Sequence, residues 1–590
     1  MKSLLTLIMT SIFLTNFITF AGIIIEINEA LNKNEINEKE NYDFTKSIIL
    51  ASSPTNYKVA IPLAAKYHIP LILVSEPYYR IQHFLDLYKP LHIYEVGDTP
   101  FNGTLLSEED LIIDGINESN DYVVVAKKNG EYFIIGEYLA ALHEGKLVLA
   151  DSLDDEAILE QLKKIKPRYC ALVWNPDDFK GSMLWLYFNG KGAVISKSTM
   201  TKFIENILTK IDSDPYIDVS FGFITGSDVT DASLLISREI VYNDLEGEWK
   251  NRALFTPSYE GDKQIANLLS FKHIGLADKD YNARNYLEEI EKGVEWAFFF
   301  GHGSPITLEF DFTADHSWPY ASFLTSCPKE YQKLIEEGKD AVYLPDNLTI
   351  PSTIFIMEAC LAGLTGNVYG VITKKAWYDC DDFRNHSISL KLIRAGAAAY
   401  IASTTDGGVM SYAPYMIMSA YNWSLGDAVK HIDNMFIANG YYIAPFVLFK
   451  AEPRAILFGD PAFKPSLPIK MSQEDFYDVE VKNINFLGKE KTFMVSIQHK
   501  KNISYSFGKV EINRSVADKL RIKFVNHPIL INKIKGTQCG FLPEMIIGHI
   551  IEEDHDKIYL CWHAMFIPAI GNHTLKIIAT PEKPFVYVIE

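Results

Sequence analysis

Three stretches of this chain are apolar at almost every position: "VEWAFFF" (294–300), "TIFIMEA" (353–359) and "GAAAYIAS" (396–403). None alternates between apolar and polar residues, so none can be a strand with one face in water. A strand apolar on both sides must be covered on both sides, which requires a parallel sheet sandwiched between helices. Each stretch ends abruptly in small or polar residues. In open α/β sheets the loops and helix N-termini converge beyond the carboxyl ends of the strands, and ligands and catalytic groups collect there.

The rest of the chain repeats the pattern as far as residue 468. Short Ile/Val/Leu runs such as "KSIILASS", "IPLILVS", "LHIYEVGD" and "RYCALVWN" are separated by segments with helical spacing, among them "YYRIQHFLDLYK" and "DDEAILEQLKKIK". Alternation of this kind predicts β/α units throughout. From about residue 475 the helical spacing stops, and "YDVEVKNINF", "KTFMVSIQHK", "KVEINRS", "KIYLCWHAMF" and "HTLKIIATP" read as strands separated by turns, the pattern of a β-sandwich. With 590 residues the chain exceeds what one core serves. The expected organisation is an N-terminal export segment or anchor (1–25), an α/β domain (30–190), a second α/β domain (191–468) and a C-terminal β-sandwich (475–590).

The formal net charge of −19 argues against a polyanion-binding surface, because phosphate contacts need clustered Lys and Arg; nucleic acid is excluded as a partner on this ground. "MKSLLTLIMTSIFLTNFITFAG" has one early Lys, an uncharged apolar run and then small residues, the layout of an export signal. The run continues to Ile25, long enough for a retained membrane anchor as well, and either reading puts the remaining chain outside the cytoplasm. Eight N-x-S/T sequons accord with export. Six scattered cysteines are too few for a disulfide scaffold and contain no C-x-x-C; a bridge between Cys539 and Cys561 is the one pairing the spacing invites.

His302 follows "FFFG" and Cys360 follows "FIMEA", so both belong at the carboxyl edge of the sheet. A lone cysteine at the end of an apolar strand is ordinarily a small buried hydrophobe, and a lone histidine is ordinarily a surface or core residue. The pairing, with Gly301 and Gly303 flanking the histidine, points to chemistry. A thiolate attacks an acyl carbon, an imidazole moves the protons, and uncovered backbone N–H groups stabilise the oxyanion. The candidates are Cys360 as nucleophile, His302 as acid and base, and the amides of Gly303 and Cys360 as the oxyanion hole. A metal site from His302, His316, Asp311 and Asp315 is disfavoured, since its two histidines are not at helical ligand spacing and no H-E-x-x-H occurs.

The segments "FFFGHGS" and "FIMEACLAG" resemble the dyad motifs of the gingipain family of cysteine peptidases, relatives of caspases, legumain and separase. "GAAAYIASTTDGG" (396–408) is similar to the strand and loop that wall the family's primary specificity pocket, and "AILFGDPAFKPSLP" (455–468) to the segment closing its catalytic domain. The caspase signature Q-A-C-x-G is met only in part, because Glu358 stands in place of Gln and Ala362 in place of Gly.

The resemblance implies a caspase-like α/β/α sandwich followed by an Ig-like domain, and a secreted cysteine endopeptidase acting on peptides or proteins through a thioester. It also implies cleavage after basic residues read by an acidic pocket, for which Glu260, Asp262, Thr404 and Asp406 are candidates by position. No cofactor is required; a structural Ca2+ ion enters only through the resemblance, with Asp379, Asp381 and Asp382 as nearby acids that read more simply as a solvent-facing loop. The segment after Cys360, "LTGNVYGVITKKAWYDCDDF", is longer than the family pattern leads one to expect. A sortase-like transpeptidase and a non-catalytic surface binding protein on the same scaffold are the alternatives.

Overall fold

The computed structural model describes residues 42–107, 110–111, 119–188, 191–213, 216–313, 316–405, 412–439 and 453–483, and seven strands from residue 477 onward. The expected export segment or anchor lies outside the described residues, as do Asp315, Asp406 and Cys539. Among the described residues no helix is long and apolar enough to cross a membrane.

The chain from Thr45 onward forms one compact unit. It opens with a small parallel sheet of β1 (Ser47–Ala51), β2 (Leu71–Leu73), β3 (His92–Val96) and β4 (Thr104–Leu105), in the order β2-β1-β3-β4. There follow β5 (Tyr122–Lys127), β6 (Lys146–Ala150), β7 (Tyr169–Val173), the hairpin β8 (Gly181–Phe188) and β9 (Lys191–Ser198), and β10 (Ser220–Ile224). The next strands are β11 (Arg252–Thr256), β12 (Lys272–Gly275), β13 (Trp296–Phe300), β14 (His302–Gly303), β15 (Thr307–Glu309), β16 (Ser322–Thr325) and β17 (Asp340–Tyr343). The α/β part ends with β18 (Ile354–Glu358), β19 (Val368–Gly370), β20 (Ala399–Ser403) and β21 (Ala455–Phe458).

Ten of these strands form one sheet in the order β12-β11-β13-β18-β20-β21-β10-β7-β5-β6. The first five are mutually parallel, and so are the last five. The halves meet at β20 and β21, the only antiparallel pair in this sheet, so their carboxyl edges point in opposite directions. The expected boundary at residue 190 does not divide this sheet: strands before and after it, β7 and β10, pair in register from Tyr169–Ser220 to Val173–Ile224. What joins the halves is β21, which returns from far along the chain to sit between β20 and β10. Asp460, just beyond β21, fastens the return. Its carboxylate accepts from Tyr122 Oη (2.7 Å), His143 Nε2 (2.5 Å) and the Ala462 amide (2.8 Å), while its own amide donates to Glu239 Oε1 (2.9 Å).

The three largely apolar runs form β13, β18 and β20, adjacent strands inside the ten-stranded sheet, each flanked by a strand on both sides. All positions of β20, and all but the last of β13 and β18, are buried, as their composition requires. Helices pack the sheet and are capped by their own sequence. Ser53, Asp155, Asp228 and Ser387 each accept an amide hydrogen bond from the first turn of the helix they precede. From residue 477 the described residues are all strand: a four-stranded and a three-stranded sheet, both antiparallel, covering 477–483, 493–499, 505–513, 522–526, 545–554, 557–566 and 585–589. The expected strand "HTLKIIATP" lies outside the described residues.

One buried ionic knot ties the small sheet to the large one. Arg80, on the helix Tyr79–Tyr88, is fully buried and grips both oxygens of Asp228 (2.9 and 2.8 Å) as well as the buried carboxylate of Asp231 on the helix Val229–Val241. Arg394, on the helix Ile388–Ala395, takes the other Asp231 oxygen at 2.9 Å. Removing one member strands the opposite charge in a medium that solvates it poorly. Asp231→Ala should therefore cost about 3–5 kcal/mol, read as a lowered denaturant midpoint, whereas Lys58→Ala, which breaks the exposed pair with Glu137, should cost less than about 1 kcal/mol.

Candidate active site

β13 and β18 are parallel neighbours paired from Trp296–Ile354 to Phe300–Glu358. The offset in this register is 58, and 58 residues also separate His302 from Cys360. Both chains leave the sheet together, so His302 and Cys360 come off adjacent strands at equivalent positions. The Gly301 amide still donates to the Glu358 carbonyl (3.3 Å), and the two chains remain in contact beyond it. A Cβ at Gly303 would lie 2.8 Å from the Ala359 Cβ and 3.1 Å from the Cys360 carbonyl oxygen, so only glycine lets the two turns approach this closely.

The amides of His302 and Ser304 donate to the carbonyls of Asp311 (3.2 Å) and Thr307 (2.8 Å), on the β15 side. Alternation along the strand turns the intervening Gly303 N–H away from β15. In the turn after Cys360, Leu361 has φ +59°, a left-handed conformation costing a leucine about 1–2 kcal/mol. Two hydrogen bonds hold it: Leu361 N–H to the Thr405 carbonyl (3.0 Å) and Gly363 N–H to the Ser403 carbonyl (2.8 Å). Cys360 itself is half-buried at the edge of the main core.

The His302 ring is fixed from two sides. Its Nε2 lies 2.9 Å from the Thr313 carbonyl, and it stacks on the His316 ring with centroids 4.1 Å apart. A carbonyl can only accept, so Nε2 carries the proton and Nδ1 holds the lone pair in the neutral ring. Asp311 shapes the turn that presents this carbonyl. Fully buried, it accepts from the Thr313 amide (2.7 Å), the Thr313 hydroxyl (2.6 Å) and the Trp318 amide (3.2 Å). The residues of the disfavoured metal reading are used otherwise: Asp311 builds the turn, and His316 stacks on His302 while pairing with Glu309 (3.1 Å). Glu309, Asp311 and His316 bring ligand atoms within 4.8 Å of one another, but the Asp311 oxygens already have backbone partners.

Two of the four candidate pocket residues are engaged elsewhere. Asp262 is buried and accepts from the Tyr259 amide at 2.6 Å, closing a capping box at the start of the helix Glu260–Leu268. Thr404 is fully buried, its hydroxyl bonded to those of Ser198 (2.8 Å) and Thr201 (2.9 Å). Glu260 is the first residue of its helix, and Asp406 lies outside the described residues. Asp379 and Asp381 are exposed and share Lys329 (3.3 and 2.6 Å), and Asp382 caps the short helix Phe383–His386.

Two residues near Cys360 escaped the sequence reading. Tyr378, in the long segment after the nucleophile, has its phenol pushed up, first by burial and then by the negative charge a Cys360 thiolate presents to it. No spacing rule would have found it. Glu358, two residues before Cys360, is partly exposed as a residue, but desolvation of its carboxyl pushes its pKa up to about 8. No hydrogen bond or counter-ion to that carboxyl occurs among the described residues. The missing Gln of the caspase signature was the available signal.

A folded pKa above the unfolded value means that the native state holds the extra proton, so this stability is complete below about pH 4.3 and is lost as pH rises to about 8. Glu358→Gln, which keeps the shape without the charge, should raise the thermal midpoint at pH 8.5 by several degrees, and the gain should vanish only as the pH falls to about 4. Equal gains at both pH values would show that the carboxyl is not desolvated.

Among known families, the model described as peptidase family C25 matches residues 156–466, more than half of the chain. No curated protein and no solved structure gives a match.

Proposed function

Because this chain belongs to peptidase family C25 and is a cysteine peptidase, we propose that it hydrolyses protein or peptide substrates through a thioester on Cys360, with His302 as the acid and base. The observation that supports this reading is the common offset of 58: the two residues each follow by two the last pair of neighbouring parallel strands. Nδ1 of His302 first takes the proton of the Cys360 thiol; the thiolate attacks the scissile carbonyl carbon, and the oxyanion accepts hydrogen bonds from the Gly303 and Cys360 amides. His302, held through Nε2 by the Thr313 carbonyl, gives the Nδ1 proton to the leaving amine. Water enters, Nδ1 takes its proton, and the second tetrahedral intermediate collapses to the acid and the free thiol. No step calls for a metal or cofactor.

We infer cleavage after a basic residue. A desolvated carboxyl two residues from the nucleophile, without a described counter-ion, gains one when a substrate Lys or Arg side chain arrives, and it then gives up its proton. The apolar N-terminus reads as an export segment, so the substrates are extracytoplasmic, and the seven C-terminal strands read as the Ig-like domain of the family.

An acyloxymethyl ketone probe carrying Arg tests these assignments. Wild type should label at one cysteine, Cys360→Ala should not label, and His302→Ala should label slower by on the order of 10²-fold. Glu358→Gln should slow the Arg probe about tenfold, a difference of about 1.4 kcal/mol, and leave a Leu probe unchanged. Undiminished labelling of Cys360→Ala would refute the nucleophile; equal slowing of both probes would refute the role of Glu358.

A further inference from the structure

Outside the dyad, two thiols meet. Cys327 ends the connection after β16 and is the N-cap residue of the nine-residue helix Pro328–Glu336, while Cys380 lies twenty residues beyond Cys360 in the long segment. Both are buried, 1% and 8% exposed, in a small apolar cluster with Ile306, against which Tyr378 and Phe383 pack. The two side chains pack in this one cluster, and the neighbouring Cys380 together with the Lys329 and Glu330 amides of the helix N-terminus lowers the pKa of the Cys327 thiol. Ion pairs from Lys329 to Asp379 (3.3 Å) and Asp381 (2.6 Å), on either side of Cys380, hold the same two segments together.

We propose that Cys327 and Cys380 are a disulfide-forming pair whose bond fastens the segment after Cys360 to the sheet that carries His302. Cys327 is two residues past β16, which pairs with β15, which in turn pairs with the His302 strand β14. Cys380 is two residues past Tyr378, the phenol that responds to Cys360. The bond therefore links the two walls of the site and anchors one end of the exposed strip that includes Val371, Ile372 and Trp377.

The chemistry favours Cys327 as the attacking sulfur. The hydrogen bond from Cys380, opposed by burial and aided by the helix amides, brings its thiol down to about 6, while Cys380 is pushed up as the proton donor. With a small-molecule or protein disulfide as oxidant, the Cys327 thiolate attacks one sulfur and expels the other as a thiolate. Cys380 then loses its proton and attacks the Cys327 sulfur of the mixed disulfide, releasing the second half. Two thiols of this chain are oxidised and one external disulfide is reduced to two thiols. Because both sulfurs are covered, exchange requires folding or a lifting of residues 379–382.

The test uses full-length Cys360→Ala protein, so that failure of the peptidase assignment cannot be mistaken for failure of this one. The protein is equilibrated across ratios of reduced to oxidised glutathione, blocked with N-ethylmaleimide, digested without reductant and mapped by mass spectrometry. The expected result is a peptide linking Cys327 to Cys380 that appears in one two-electron transition. Trypsin should also nick the intact chain at the exposed Lys374 and Lys375 several-fold faster in the reduced form. Cys327→Ala and Cys380→Ala should nick at the reduced rate under both conditions. Separate glutathione adducts on the two cysteines at every ratio, or linkage of either to another cysteine, would overturn the pairing. A linked peptide without any change in nicking would overturn the fastening.

Discussion

The site depends on the register of one strand pair. β13 and β18 are paired without a slip over five residues, so the chain leaves both strands at the same level, with His302 and Cys360 each two residues past the last pair. A shift by one residue would turn one of the two side chains to the other face of the sheet. The register is protected by burial: eight of the ten residues of these two strands are buried, and most are large and apolar, so a slip would disturb the core on both faces.

Beyond the strands, backbone groups rather than side-chain charges hold the pair. The Thr313 carbonyl fixes the imidazole, and buried Asp311 fixes Thr313. Gly303 permits close approach of the two turns, and the left-handed Leu361 reverses the chain directly after the nucleophile. The charges nearby act through what they lack. Glu358 is desolvated and has no counter-ion among the described residues, which makes this end of the sheet costly for the free protein.

Much of this was legible in the sequence because it depended on local pattern. The fully apolar runs located β13, β18 and β20 within a few residues, and their small-residue endings located His302 and Cys360. The joining of the two half-sheets was not legible, since β21 enters between strands more than fifty residues earlier in the chain, and no local periodicity records that. For the same reason a boundary drawn at residue 190 cut across one sheet. Asp262 and Thr404 look like pocket residues by position, yet a capping box and a buried hydroxyl cluster engage them. Cys327 and Cys380 showed no motif because their meeting depends on the path of the long segment after Cys360, which brings Cys380 back to the N-cap of a helix.

The most direct measurement of the central claim is to trap the covalent intermediate. The enzyme is mixed with excess of a peptide ester bearing Arg at the acyl position, quenched in acid within milliseconds to seconds, digested at low pH and mapped. The acyl group should appear as a thioester on the peptide containing Cys360 and decay at the rate of turnover. An acyl group on Cys327 or any other residue, or turnover with none accumulating on Cys360 even when an added amine is withheld and the pH is lowered to slow hydrolysis, would contradict the account.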